Sequence, residues 1–325
     1  MCPPTSYIES PSFVSTVFHT LTVIEVPIHF FGAYCILFRT PCSMITIRWS
    51  MLTFHVWSVM LDFGLTIFTA PYLLLPHLAG YPLGILRYTD VDIGAQICGI
   101  VVLAAGVGVS ILQIFESRFF LLFARNHWWR NYRIPYILSN YFLALVFFIP
   151  SAVNRPDQNT AIELVFDSLV CLPKEVREEK KMYVFAVDYR LSTYSIALFT
   201  LFCSIQILYF EHSILVKLSR NHRKLLSERT YLMQRKFIKA LTIQAITPIL
   251  VLLFPLTYGL VAISYNHHNQ LLNNVIIIVL SLHGLVSTIT MILIHQPYRE
   301  TLVSLFCINV TTPKISRAIS MTQGL

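Results

Sequence analysis

Charge is what this sequence has least of. Only 12% of its 325 residues are Asp, Glu, Lys or Arg, about half the share a soluble domain carries. Apolar residues make up 55% and the mean hydropathy is +0.64. No water-soluble core hides that much apolar surface, and disorder is excluded on the same numbers. Seven cysteines are too few for a disulfide-built scaffold. Enzyme signatures are absent too: there is no GxSxG, HExxH, P-loop or CxxC, the patterns that place nucleophiles, metals or phosphates. Neither an enzyme nor a cofactor is expected.

What is present is a series of long apolar runs. A spanning helix needs about 20 mainly apolar residues, and seven stretches qualify: Phe13 to Phe38, Trp49 to Leu75, Ile93 to Phe115, Ile134 to Ala152, Leu191 to Phe210, Ala240 to Ile263 and Asn274 to Ile294. None alternates with period two, so helices are expected rather than barrel strands. The expected fold is an all-α membrane protein, a single seven-helix bundle over 1–325. The loop from Val153 to Asp188 is the longest and leaves no room for a folded extramembrane domain.

Orientation follows from the basic residues. With the N-terminus outside, seventeen of the 24 Lys and Arg fall on the inner side, eight of them between Lys217 and Lys239. The positive-inside rule then puts the C-terminus in the cytoplasm. The formal charge of +8 faces anionic lipid and cytosolic partners rather than nucleic acid. The first ten residues lack a basic n-region, so the first helix is expected to serve as an uncleaved insertion signal.

Several residues stand out within this plan. Glu25 and Asp62 are ionisable groups inside apolar runs, which lipid penalises, so both should face the bundle interior. His55 lies seven residues before Asp62, two turns along one helix face, and shares its polar stripe. The group is either a structural polar contact or an ion or proton site. His29 and His283 read as satisfied interior histidines, and the adjacent His267 and His268 are too little for a metal site. Cys98, at the outer end of helix three, and Cys171, in the long loop, face the oxidising side. They are either a bridge pinning the loop over the bundle or two free thiols. Ala104 and Gly108 form a small-xxx-small pair suited to close helix approach, and Pro248 and Pro255 should kink helix six. Cys307 follows helix seven in an amphipathic segment where acylation is an option.

Four segments then carry a resemblance: PIHFFGAYCILFRTPCSM (27–44), PYLLLPHLAGYPLGIL (71–86), FESRF around Arg118, and HQPYR (295–299). Together they resemble the nematode serpentine chemoreceptors, class H, from about Phe13 to about Phe306. The resemblance implies a rhodopsin-like receptor in the plasma membrane, in the cilia of sensory neurons, that binds a small odorant or pheromone and signals through a heterotrimeric G protein. It implies a Cys98–Cys171 bridge. Glu116 and Arg118 resemble the acidic–arginine pair of such receptors, though Ser117 separates them. Pro297 and Tyr298 resemble the proline–tyrosine end of helix seven, without the full NPxxY spacing. The output surface would include Arg235, Lys236 and Lys239. By depth alone, Val101, Val102, Tyr194, Tyr258 and Ile276 are candidate pocket walls. The rival reading is an ion or solute transporter using Asp62 and Glu25.

Overall fold

The computed structural model describes residues 6–41, 44–45, 47–125, 127–169, 172–222 and 228–306. Twelve α-helices and three strands are assigned among them. Six helical stretches are long and apolar enough to cross a membrane, and a bent helix pair makes a seventh.

The first span is α1 (Pro11–Phe38), started by Ser10, whose side chain accepts from the Phe13 N–H. Its buried residues Val14, Phe18, Glu25, His29, Gly32 and Ile36 recur at helical spacing on one face. Val23, Phe30 and Phe38 point outward and are each more than 70% exposed, as a lipid-facing surface requires. The second span is α2 (Arg48–Phe63), which passes into a π-turn at Gly64–Phe68.

The run to Leu75 is not helical throughout, contrary to the sequence reading. Ala70 takes a φ of 44°, and Pro71 disfavours α-helical backbone at the residue before it. The chain leaves the helix and makes β1 (Pro71–Leu73) and β2 (Leu78–Pro82), an antiparallel hairpin. Gly84, just beyond β2, lies against the end of α2. A Cβ there would meet the Ile67 and Phe68 carbonyl oxygens at 2.4 and 2.5 Å. That approach accounts for the glycine of the PLG segment.

α3 (Ile93–Phe119), capped by Asp92, continues through a π-turn to Ala124. From Ala105 to Phe119 it is buried nearly all round, as befits a central helix. α4 (Trp129–Val146) is followed after a break by the short α5 (Ile149–Val153). The long loop is structured: it holds α6 (Gln158–Ser168), α7 (Lys174–Arg177) and β3 (Tyr183–Ala186). β3 pairs antiparallel with β2, giving a sheet of order β1-β2-β3.

α8 (Arg190–His222) and α9 (Glu228–Ser264) extend well past the apolar runs that foreshadowed them. α9 is one continuous helix despite its prolines. The last span is broken: α10 (Gln270–Ser281) and α11 (His283–Ile294) meet at a 40° bend. α12 (Gln296–Phe306) follows. Cys307 lies outside the described residues.

The sheet roofs one end of the bundle. The start of α10 holds its β1 edge: Gln270 donates to the Leu73 carbonyl at 3.0 Å and Asn273 to that of Leu75 at 3.1 Å. Gln158 closes the other edge through both backbone groups of Val184, at 3.0 and 3.1 Å. These side chains satisfy polar groups that an open sheet would leave unpaired.

Candidate functional site

Beneath the roof lies a cavity of about 440 Å³ bounded by α3, α8, α9, α10 and the sheet. That is within the usual range for small-molecule pockets. Among the described residues no charged side chain lines it. Its hydroxyl groups come from one wall, where Ser192, Thr193, Thr200 and Ser204 follow helical spacing on α8.

Ala104 and Gly108 of α3 also line this space. A Cβ on Gly108 would meet nothing within 4 Å. The pair therefore does not bring helices together, as its spacing suggested; it makes room. The close approach lies two residues away, at Gly106, where a Cβ would fall 2.2 Å from the Trp57 ring of α2.

Of the five pocket walls chosen by depth, Val101 and Ile276 line the cavity and Val102, Tyr194 and Tyr258 do not. Tyr194 is 63% exposed on the outer face of α8. The Tyr258 hydroxyl donates to Asn273 Oδ1 at 3.3 Å. Among the described residues Cys98 has no disulfide partner, and Cys171 lies outside the described residues.

A second constellation joins α1, α2 and α11. Asp62, fully buried, accepts the Gly284 N–H through Oδ1 at 3.1 Å. Its Oδ2 lies 3.1 Å from His29 Nε2, and His283 Nδ1 is 2.7 Å from Oδ1. His55 Nε2 bonds the His29 carbonyl at 3.0 Å, which leaves its side chain beside the carboxylate group rather than on it. Glu25, also fully buried, has no hydrogen-bond partner on either oxygen among the described residues. The sequence placed Glu25, His55 and Asp62 inside the bundle; it gave no sign that the seventh span breaks against Asp62.

At the far end of the bundle Glu116 and Arg118 do not pair with each other. The Glu116 carboxylate receives the Trp129 indole N–H at 2.8 Å and Arg133 at 3.0 Å. Arg118 reaches α9, where it donates to Gln234 and stands 4.4 Å from the Phe237 ring. The two residues are two positions apart on α3, about 200° round the helix, so each side chain takes the partner on its own side. Tyr298 is buried, and its hydroxyl lies 2.7 Å from Thr40 Oγ1 beyond α1. Pro297 is half-buried at the start of α12. His295 Nε2 meets Gln244 Oε1 of α9 at 3.0 Å. Arg235, Lys236 and Lys239 are exposed on α9.

A bundle of membrane-length helices, roofed at one end over an apolar cavity, defines a multi-pass membrane protein of the serpentine type. The chain matches the family of serpentine type 7TM GPCR chemoreceptors, Srh, over residues 9–308, and it belongs to that family. It is 27% identical over 315 residues to serpentine receptor class H-72 of Caenorhabditis elegans, covering 94% of this chain and 89% of that protein. The family is one of receptors rather than enzymes.

Proposed function

We propose that this protein is a chemosensory receptor that takes a small, uncharged, largely apolar molecule into the cavity between α3, α8, α9 and α10. The observation that carries the reading is the cavity itself, roofed by the sheet and free of charged side chains. A charged ligand would be desolvated there without a counter-charge, whereas an apolar one gains its transfer free energy. The roofed end faces outward and the basic end, with Arg235, Lys236 and Lys239, faces the cytoplasm, in keeping with the distribution of basic residues. In an oxidising exterior Cys98 and Cys171 form the bridge that ties the long loop down.

The output is a population shift. A ligand that fits one packing of α9 against α3 better than the other moves the equilibrium by that difference in affinity. The Arg118–Gln234 contact, joining those helices at the basic end, is the element to be shifted. A heterotrimeric G protein then docks on the surface exposed beside it. The test is expression in sensory-type cells with a panel of G-protein biosensors and an odorant mixture. Signal abolished by Arg118→Ala at equal surface expression supports the reading. Silence with every sensor, together with ligand-dependent flux in proteoliposomes that Asp62→Asn removes, overturns it in favour of transport.

A further inference from the structure

The cluster around Asp62 is not part of the cavity, and nothing in the receptor reading requires its particular chemistry. A polar anchor would need one carboxylate and its donors. Here a second carboxylate, Glu25, is enclosed within the bundle with both oxygens unpartnered. Glu25 and His29 are four apart on α1, so they project from the same face one turn apart. One donor atom each from Glu25, His29 and Asp62 lie within 4.8 Å of one another. We propose that Glu25, His29 and Asp62 form a binding site for one divalent transition-metal ion, with Zn²⁺ as its type, between α1, α2 and α11.

Charge is the first reason. Two enclosed carboxylates repel each other in a medium that penalises even one, and a dication neutralises both. Donor type is the second. Hard cations such as Na⁺, Mg²⁺ and Ca²⁺ prefer all-oxygen shells, while an imidazole between carboxylates favours zinc and its neighbours. The third is support around the ligands. His29 Nδ1 lies 3.2 Å from Thr288 Oγ1 on α11, which orients the ring so that Nε2 faces Asp62. The Gly284 N–H likewise holds Asp62 Oδ1, leaving Oδ2 for the ion. Such outer contacts orient ligands in built metal sites. Tetrahedral zinc with bonds of about 2.0–2.1 Å sets its ligand atoms about 3.3 Å apart. The His29–Asp62 pair is already at 3.1 Å, so only Glu25 needs to close in. His283 Nδ1, 2.7 Å from Asp62 Oδ1, adds to the support of that carboxylate on the side away from Oδ2.

The experiment uses the full chain purified in lipid nanodiscs, titrated with zinc chloride and separately with cobalt chloride. We expect one zinc per chain after desalting, a raised unfolding temperature, and an intense visible cobalt spectrum of tetrahedral type. Glu25→Gln loses no hydrogen bond and should fold as wild type; with His29→Gln it should weaken zinc binding by roughly tenfold or more. Replacing His77 and His268 by Ala, on the roof, should leave binding unchanged. Absence of stoichiometric zinc, or a weak octahedral cobalt spectrum, overturns the proposal. So does zinc binding that survives Glu25→Gln and is lost with the roof histidines, or equal stabilisation by sodium chloride. None of these readouts depends on G-protein coupling, so the site and the receptor reading fail separately.

Discussion

Asp62 of α2 caps a helix that is not its own. Its Oδ1 accepts the Gly284 N–H at 3.1 Å, in the first turn of α11, where no side chain of α11's own N-cap, Leu282, does so. A helix start has unpaired N–H groups and a partial positive charge, and a carboxylate answers both. The bend between α10 and α11 is thus held from across the bundle.

Gly284→Ala should undo that hold. A Cβ at this position would sit 2.3 Å from Asp62 Oδ2, closer than packing allows. We expect a loss of about 1–3 kcal/mol, read as a lowered unfolding temperature in nanodiscs. Ser287→Ala, also buried on α11 but away from Asp62 among the contacts described, is the control for general effects of substitution in that helix.

Two glycines of α3 should behave oppositely. Gly108→Leu enters open space and should fold normally while filling the cavity, abolishing the odorant response at unchanged surface expression. Gly106→Leu would drive a side chain into the Trp57 ring and should fail to reach the surface. A retained response in Gly108→Leu would place the ligand elsewhere.

Gln234→Ala removes the polar partner of Arg118 on α9. A hydrogen bond to a charged group contributes about 1.5–3 kcal/mol, so its loss should shift the resting equilibrium by about tenfold or more. The expected reading is raised basal biosensor output without ligand. Unchanged basal output would show that the contact is neutral between the two packings.

His77 supplies a pH dependence at the roof. Burial, with the neighbouring His268 adding to it, holds the His77 imidazole below its ordinary value, and its Nε2 lies 2.6 Å from Ser168 Oγ. The folded state therefore favours the neutral ring. Stability from this contact is present above the unfolded pKa of about 6.5 and is lost as pH falls through the lower folded value. Protection factors across 158–168, taken against the intrinsic exchange rate at each pH, should fall below about pH 6. In His77→Gln that fall should vanish.

The spans could be read from the sequence because lipid imposes one rule on every helix, a long run without charge. Glu25 and Asp62 were placed inside the bundle by the same rule. The roof was not legible. Pro71–Leu73 and Leu78–Pro82 continue the apolar run before them, and it is their pairing as a hairpin, joined by β3 from the distant long loop, that makes them strands. Ala104 and Gly108 show a different limit: small residues at that spacing serve either a helix contact or an open space, and only the neighbours decide. Arg118 could be marked as special, but its partner Gln234 lies 116 positions away and carries no signature. Leu282, where the last span breaks, is an ordinary apolar residue in an apolar run.

A pocket wall without charge also determines how such a receptor discriminates. On the proposed reading the cavity, with hydroxyls on one side only, would measure its guest mainly by length and bulk. Each methylene added within the available space is worth about 0.8 kcal/mol, about fourfold in affinity, until the roof is met and the trend reverses. Tuning of this kind ranks a homologous series smoothly and separates unlike compounds of equal size poorly. An animal equipped with such receptors would identify a compound from the pattern across many of them, each reporting a size class, rather than from any one.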